Sequence, residues 1–248
     1  MNKVAIITGG LNKVKASGFY TAINLLKNGY VVTIADVNCD ESNLSELKSY
    51  GEVLYIKTDV SNESDCKNAV TKTLEKFGRI DVLVNLAAIV GKKGLFTELD
   101  IEDIKKTIDV DLMGTIYMSR FVARKMIEQK SGVIVNVGSI CGCMANNESI
   151  GYHASKGAVR MITSCMAREL SSYGIRVVSV APGWIMRDES KMDKLEDSRG
   201  ASFHMKGRII SPKEIANVIY LMTLPEASAV NGTTVMADDG YSAFKGLV

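Results

Sequence analysis

Short apolar runs alternate with longer stretches of mixed polarity along this chain. Val4–Thr8, Tyr30–Ala35, Val53–Lys57, Val82–Leu86, Val133–Val137 and Arg176–Val180 are the apolar runs, and Thr233–Met236 is a weaker one. Strands covered on both faces read this way, whereas half-exposed strands alternate. Between them, roughly 16–28, 40–50, 62–77, 101–129, 151–172 and 212–223 read as helices. Ser211 ahead of Pro212-Lys213-Glu214 supplies a cap and a first turn for the last of these. Repeated strand–helix units predict an α/β fold, a doubly wound parallel sheet of about seven strands with helices on both faces and right-handed crossovers. No linker, repeat or low-complexity segment interrupts the pattern, so a single domain over residues 1–248 is expected.

One stretch departs from the alternation. Residues 186–209 are charged, carry scattered Met, Leu and Phe, and directly follow a strand end. Ligands in open α/β sheets bind beyond the carboxyl ends of strands. An insertion there is expected to be a substrate lid, with a solvated surface excursion as the alternative.

Charge and cysteine usage narrow the function classes. The 30 basic and 28 acidic residues leave a net charge of +2, too little for a nucleic-acid or membrane-surface protein. No apolar run is long enough to span a bilayer, and Met1-Asn2-Lys3 leads straight into Val4 without a signal sequence. A cytoplasmic protein is expected. Cys39, Cys66, Cys141, Cys143 and Cys165 are odd in number and lack zinc-ligand spacing, so reduced, mostly buried thiols and no metal are expected.

The chemistry concentrates around Gly151-Tyr152-His-Ala-Ser-Lys156-Gly157, with Ser139 thirteen residues before the tyrosine. Positions i and i+4 share a helix face, so the ammonium of Lys156 can lie beside the phenol of Tyr152. A phenol alone ionises near pH ~10, and a neighbouring cation favours the phenolate. The triplet therefore reads as acid/base machinery, with Ser139 holding a carbonyl or hydroxyl oxygen against the phenol. The same Tyr-x-x-x-Lys spacing recurs at Tyr241 and Lys245, but without a matching serine, and is taken as chance.

A dinucleotide site is indicated at the other end of the chain. Ile7-Thr-Gly9-Gly10-Leu-Asn-Lys13-Val-Lys15-Ala16-Ser17-Gly18 joins a strand, a glycine turn and a helix start, whose amides can hold a pyrophosphate. Asp36 closes the second strand, where a carboxylate can accept bonds from ribose hydroxyls and repel a 2′-phosphate.

With these pieces the whole chain resembles the short-chain dehydrogenase/reductase family, whose domain is a single Rossmann fold. The matching segments are Thr8-Gly9, Asp36, Asp59-Val60, Asn85-Leu-Ala-Ala88, Ser139, Tyr152 with Lys156, Pro182-Gly183-Trp-Ile185, and the closing Asn231–Gly240. The resemblance implies Tyr152 as catalytic acid/base, Lys156 also holding the nicotinamide ribose, and Ser139 orienting substrate. It further implies Asp59 and Val60 at the adenine, Asn85 where the cofactor crosses the sheet, and Ile185 beside the nicotinamide amide. A homotetramer or homodimer built on the helices at 101–129 and 151–172 is also implied.

Three departures stand out. Counting back from Gly29 places Ala16-Ser17-Gly18 at the family's Gly-x-Gly, with a loop after Gly9 that is three residues longer than usual. Counting forward from Thr8 instead puts Lys13 and Lys15 in place of both glycines; the inserted loop is preferred, because side chains there crowd a pyrophosphate. Asp111 stands where the family usually carries asparagine, and relay and structural roles are both open to it. Arg187 stands where threonine is frequent.

The resulting expectation is an NAD-dependent oxidoreductase interconverting a secondary alcohol and a ketone, with NADP the lesser candidate. The alternative is a non-enzymatic ligand-binding or regulatory subunit with a degenerate cofactor turn. A substrate wall of Ile140, Cys141, Cys143, Met144 and Asn147 suits a steroid-like or aliphatic ketone; Lys92 and Lys93 suit an anionic group or plain solvent.

Overall fold

The computed structural model describes residues 2–146, 149–186 and 200–243. Seven parallel strands form one sheet: β1 (Lys3–Thr8), β2 (Tyr30–Asp36), β3 (Val53–Lys57), β4 (Val82–Asn85), β5 (Gly132–Val137), β6 (Ile175–Pro182) and β7 (Thr234–Ala237). Their order is β3-β2-β1-β4-β5-β6-β7. Each predicted apolar run is a strand, with ends shifted by a residue or two.

Alternation along each strand feeds two core layers. Ala5, Ile7, Val32, Ile34, Val84, Val135, Val178 and Val180 pack on one face against α1 (Ser17–Lys27), α2 (Glu41–Tyr50) and α7 (Pro212–Thr223). Ile6, Leu83, Ile134 and Val177 point to the other face, toward α3 (Glu63–Phe77), α5 (Gly114–Gln129) and α6 (Ile150–Leu170). Phe19 of α1 is fully buried, a position that contributes roughly 1.5–3 kcal/mol through burial alone. Such double coverage explains why the strands lack polar alternation.

The stretch predicted as one helix over 101–129 is three pieces. α4 (Ile101–Ile108) passes through a π-helical turn (Asp109–Met113) into α5. The wider turn points Asp111 inward, where the side chain is fully buried and Oδ1 accepts the Ile89 N–H at 2.8 Å. π-turns are rare and gather at functional sites. Apolar periodicity hides such a turn, because one extra residue barely shifts the buried stripe.

The cysteine expectation holds only in part. All five thiols are free, but Cys66 alone is buried; Cys39 and Cys141 are half-buried, and Cys143 and Cys165 are exposed. Cys143 ends a surface turn and Cys165 lies on the outer face of α6, which apolar content alone does not reveal. Burial pushes the Cys66 thiol up to about 12, so it stays unreactive.

Of the stretch 186–209, residues 187–199 lie outside the described residues, among them Arg187. Met186, Ala201 and Ile209 form a small apolar cluster of their own, and Ile185 pairs with Ile210 in an isolated parallel bridge. Among the described residues, no helix is long and apolar enough to cross a membrane.

Candidate active site

The chain builds β1, β2 and β3 outward in one direction, then returns to place β4 on the far side of β1. That reversal opens a crevice at the carboxyl ends of β1 and β4. Thr8 fixes its walls, because its Oγ1 accepts the N–H groups of Leu86 at 3.0 Å and Ala87 at 3.1 Å. Gly9 (φ 79°) and Gly10 (φ 118°) then turn the chain through backbone conformations that favour glycine.

Helix α1 begins at Ser17, as the register counted back from Gly29 predicts. A Cβ on Gly18 would stand 2.9 Å from the Gly10 Cα and 3.2 Å from the Gly9 oxygen. Gly18 therefore lets the helix start press on the glycine turn. The first turn of α1 has Ala16 as its N-cap, makes no side-chain cap bond and contains no acidic residue. By contrast α2, α3, α4 and α7 start on Asp40, Asn62, Asp100 and Ser211, each of which accepts a first-turn N–H. Uncapped amides at the positive end of a helix favour an anion. The cradle around Gly9, Ser17 and Gly18 thus fits a pyrophosphate.

The remaining cofactor candidates meet different surroundings. Asp36 ends β2 but is nearly buried; its Oδ2 accepts the Leu11 N–H at 2.9 Å and its Oδ1 the Asn38 N–H at 3.0 Å. Lys15 pairs with Glu46 at 2.5 Å, and Lys13 is exposed. Asp59 is exposed and accepts bonds from the Ser61 N–H and hydroxyl. Val60 is buried against Gly114 at the start of α5. Asn85 turns its side chain into the sheet layer, donating to Ser119 Oγ and Asn136 Oδ1, both at 2.9 Å, while its own Oδ1 has no partner. Asn136 continues that polar ladder to Thr163 on α6 at 2.9 Å.

Ser139, Tyr152, Lys156 and Asp111 converge at the end of β5. Lys156 is nearly buried, and its ammonium donates to the Val137 carbonyl at 3.0 Å, two residues before Ser139. The same nitrogen lies 5.5 Å from the centre of the Tyr152 ring and 3.5 Å from Asp111 Oδ2. Ser139 Oγ accepts the Cys141 N–H at 3.1 Å, so its own proton is free to be donated. The short helical turn Ile140–Gly142 that follows packs directly on α6, since a Cβ on Gly142 would meet the Lys156 carbonyl oxygen at 2.6 Å. Burial pushes the Asp111 carboxyl above its ordinary range, and the Lys156 charge and the Ile89 N–H oppose that rise.

From Pro182 at the end of β6 the chain passes through Gly183 to Ile185. A residue missed in the sequence holds this exit. His204 is buried; it accepts the Trp184 N–H on Nε2 at 3.3 Å and bonds the Arg208 carbonyl through Nδ1 at 2.9 Å. A Cβ on Gly183 would stand 2.6 Å from that Nε2, so the glycine makes room for the imidazole. Being one of only two histidines was the one available signal. Tyr241, the tyrosine of the second Tyr-x-x-x-Lys, stacks edge-on against Phe203 at 5.1 Å and against His204 at 5.8 Å. Its partner in that spacing, Lys245, lies outside the described residues, as does Asn147 of the expected substrate wall.

Known proteins match this chain over nearly its whole length. The family described as Enoyl-(Acyl carrier protein) reductase matches residues 10–242. An uncharacterized oxidoreductase of Thermotoga maritima is 37% identical over 97% of this chain and 96% of its own length. A 3-oxoacyl-[acyl-carrier-protein] reductase of Synechocystis is 32% identical over 98% of both chains. Among solved structures, levodione reductase superposes with a TM-score of 0.87 at 32% identity, covering 98% of both chains. ElxO with NADP bound reaches 0.90 at 31% identity, covering 98% of this chain and 100% of its own. Sequence, fold and crevice agree: the chain belongs to the short-chain dehydrogenase/reductase family of oxidoreductases.

Proposed function

We propose that this oxidoreductase interconverts a secondary alcohol and a ketone with NAD(H), using Tyr152 as the acid/base. The observation that carries this reading is the placement of Lys156. A nearly buried ammonium is tied to the Val137 carbonyl and set 5.5 Å from the Tyr152 ring, beside the turn that carries Ser139. In reduction, the Tyr152 hydroxyl gives its proton to the carbonyl oxygen of the substrate, and the Lys156 charge stabilises the phenolate left behind. In oxidation, the phenolate takes the alcohol proton. Ser139 donates its free hydroxyl proton to the same oxygen and fixes its position. Positioned proton transfer of this kind contributes about 10²–10⁴-fold in rate.

The nicotinamide cofactor, when bound, supplies or accepts the hydride. The amides of Ser17 and Gly18 beside Gly9 would hold the pyrophosphate. Lys156 and Tyr152 would hold the nicotinamide ribose, with Asn85 where the cofactor crosses the sheet, Pro182 and Gly183 at the exit of β6, Ile185 beside the nicotinamide amide, and Asp59 and Val60 near the adenine. Asp111 anchors Lys156 from behind. NAD is favoured over NADP because Asp36 places a carboxylate at the end of β2, where a 2′-phosphate is repelled. The NADP bound to ElxO makes this the point to measure first.

Relatives named for reducing a 3-oxoacyl group and levodione support a carbonyl substrate. A panel of cyclic, aliphatic and 3-oxoacyl ketones and their alcohols, each with NAD(H) and NADP(H), tests the reading by nicotinamide absorbance. Turnover with NAD(H) on at least one pair supports it. Poor cofactor binding together with no turnover on any pair favours the ligand-binding subunit instead, and faster turnover with NADP(H) overturns the cofactor assignment. The protein is further proposed to work as a homodimer or homotetramer through α4–α5 and α6. Light scattering should give a mass of two or four times 26.9 kDa, and a monomer contradicts it.

A further inference from the structure

The loop between Gly10 and Ala16 is built into the fold rather than left in solvent. Leu11 is fully buried in the core, and its carbonyl accepts the Asp40 N–H at 2.9 Å. Asn43, itself 4% exposed, donates from Nδ2 to the Asn12 carbonyl at 2.7 Å and the Lys13 carbonyl at 3.3 Å. Asn38 Nδ2 donates to Asn12 Oδ1 at 2.9 Å, and Lys15 pairs with Glu46. The insertion is a strap laid across the turn between β2 and α2, fastened at Leu11, Asn12, Lys13 and Lys15.

One fastening falls on Asp36. Its carboxylate is 5% exposed, with the Leu11 N–H on one oxygen and the Asn38 N–H on the other. Hydrogen bonds to a charged acceptor are among the stronger ones and are costly to leave unmade. A ribose diol reaching this carboxylate finds one acceptor site on each oxygen already taken and the group all but buried, and the buried Leu11 side chain and the Asn43 tether hold the competing N–H in place.

We propose that the Leu11–Lys15 strap sets the affinity of the cofactor site, because the Leu11 N–H competes with the adenosine ribose for Asp36. The proposal rests on the dinucleotide reading above and extends it. The strap weakens the grip on the adenosine half and leaves the nicotinamide half untouched. Discrimination against NADP then comes from the charge of Asp36, not from bonds to the ribose hydroxyls.

Loosening the strap at its far side tests this without altering Asp36 or the pyrophosphate cradle. Asn43→Ala removes the double tether, and Asn38→Ala, at an exposed position, removes the outer one should the first variant lose its fold. Dissociation constants for NAD, AMP and nicotinamide mononucleotide are measured by calorimetry, with thermal unfolding run alongside. Both variants should bind NAD and AMP more tightly, by about fivefold for one weakened hydrogen-bond competitor, with nicotinamide mononucleotide unchanged. NAD and AMP binding that is unchanged or weaker in folded variants overturns the strap proposal alone. Absence of NAD binding in wild type and variants alike overturns the dinucleotide reading and the strap with it.

Discussion

At the scale of single residues, the candidate site is set by the side chains that regular elements carry to the end of β5 and by what each of them meets there. Tyr152, Lys156 and Ser139 converge as their spacing predicted, because α6 and the end of β5 are both regular elements. Asp36 sits at the predicted strand end, yet its carboxylate is engaged by Leu11 and Asn38. A backbone N–H arriving from an inserted loop leaves no mark in composition. Asn85 was legible as a crevice residue, but its inward hydrogen bonds to Ser119 and Asn136 depend on packing across strands. Asp111 was visible as an oddity, and its burial beside Lys156 now gives it a testable consequence. Its carboxylate neutralises part of the ammonium charge that favours phenolate at Tyr152. Asp111→Asn removes that anion, so the limb of the pH–rate profile for alcohol oxidation that requires phenolate should move to lower pH. Oxidation rates measured across pH 6–10 as kcat/KM read this directly; an unmoved or upward-shifted limb contradicts a charge role for Asp111.

At the scale of elements, all seven strands and most helices were readable, because coverage on both faces makes strands largely apolar; β7, the least buried of them, gave the weakest signal. The π turn at Asp109–Met113 was not readable, since it keeps the apolar stripe of the predicted long helix almost in phase. The last helix shows the opposite case, a start written in the sequence and realised in full. Ser211 and Glu214 form a capping box, and Arg208 adds two bonds to the Glu214 carboxylate at 2.6 and 2.7 Å. Those Arg208 bonds, with the Ser211 N–H, hold the Glu214 carboxyl at about 2, against an ordinary 4.5. A carboxyl depressed in the folded state stabilises fully above its unfolded value, and that contribution disappears as pH falls through the folded value. Glu214→Gln should therefore lower stability at pH 7 by about 1 kcal/mol, given the partial exposure of the pair. Urea denaturation from pH 7 down to pH 2 should show the gap to wild type closing below about 4.5. A gap that stays constant across that range assigns the effect to packing rather than charge.

At the scale of the whole molecule, the sheet order explains why two distant stretches of sequence work together. The reversal between β3 and β4 puts the Gly9–Gly10 turn beside Leu86 and Ala87. Adding β5 and β6 in succession carries Ser139 and Gly183 to the same edge of the sheet. The fold thereby supplies an uncapped helix start at one end of the crevice and a buried ammonium beside a phenol at the other. The central claim is that the phenol of Tyr152 performs the proton transfer. Tyr152→Phe keeps the ring and its packing on Lys156 while removing only the hydroxyl. Steady-state turnover of the variant, paired with calorimetric NAD affinity on the same preparation, tests the claim most directly. The rate should fall at least about 100-fold below wild type with NAD affinity nearly unchanged. A variant that retains more than about a tenth of the wild-type rate contradicts it.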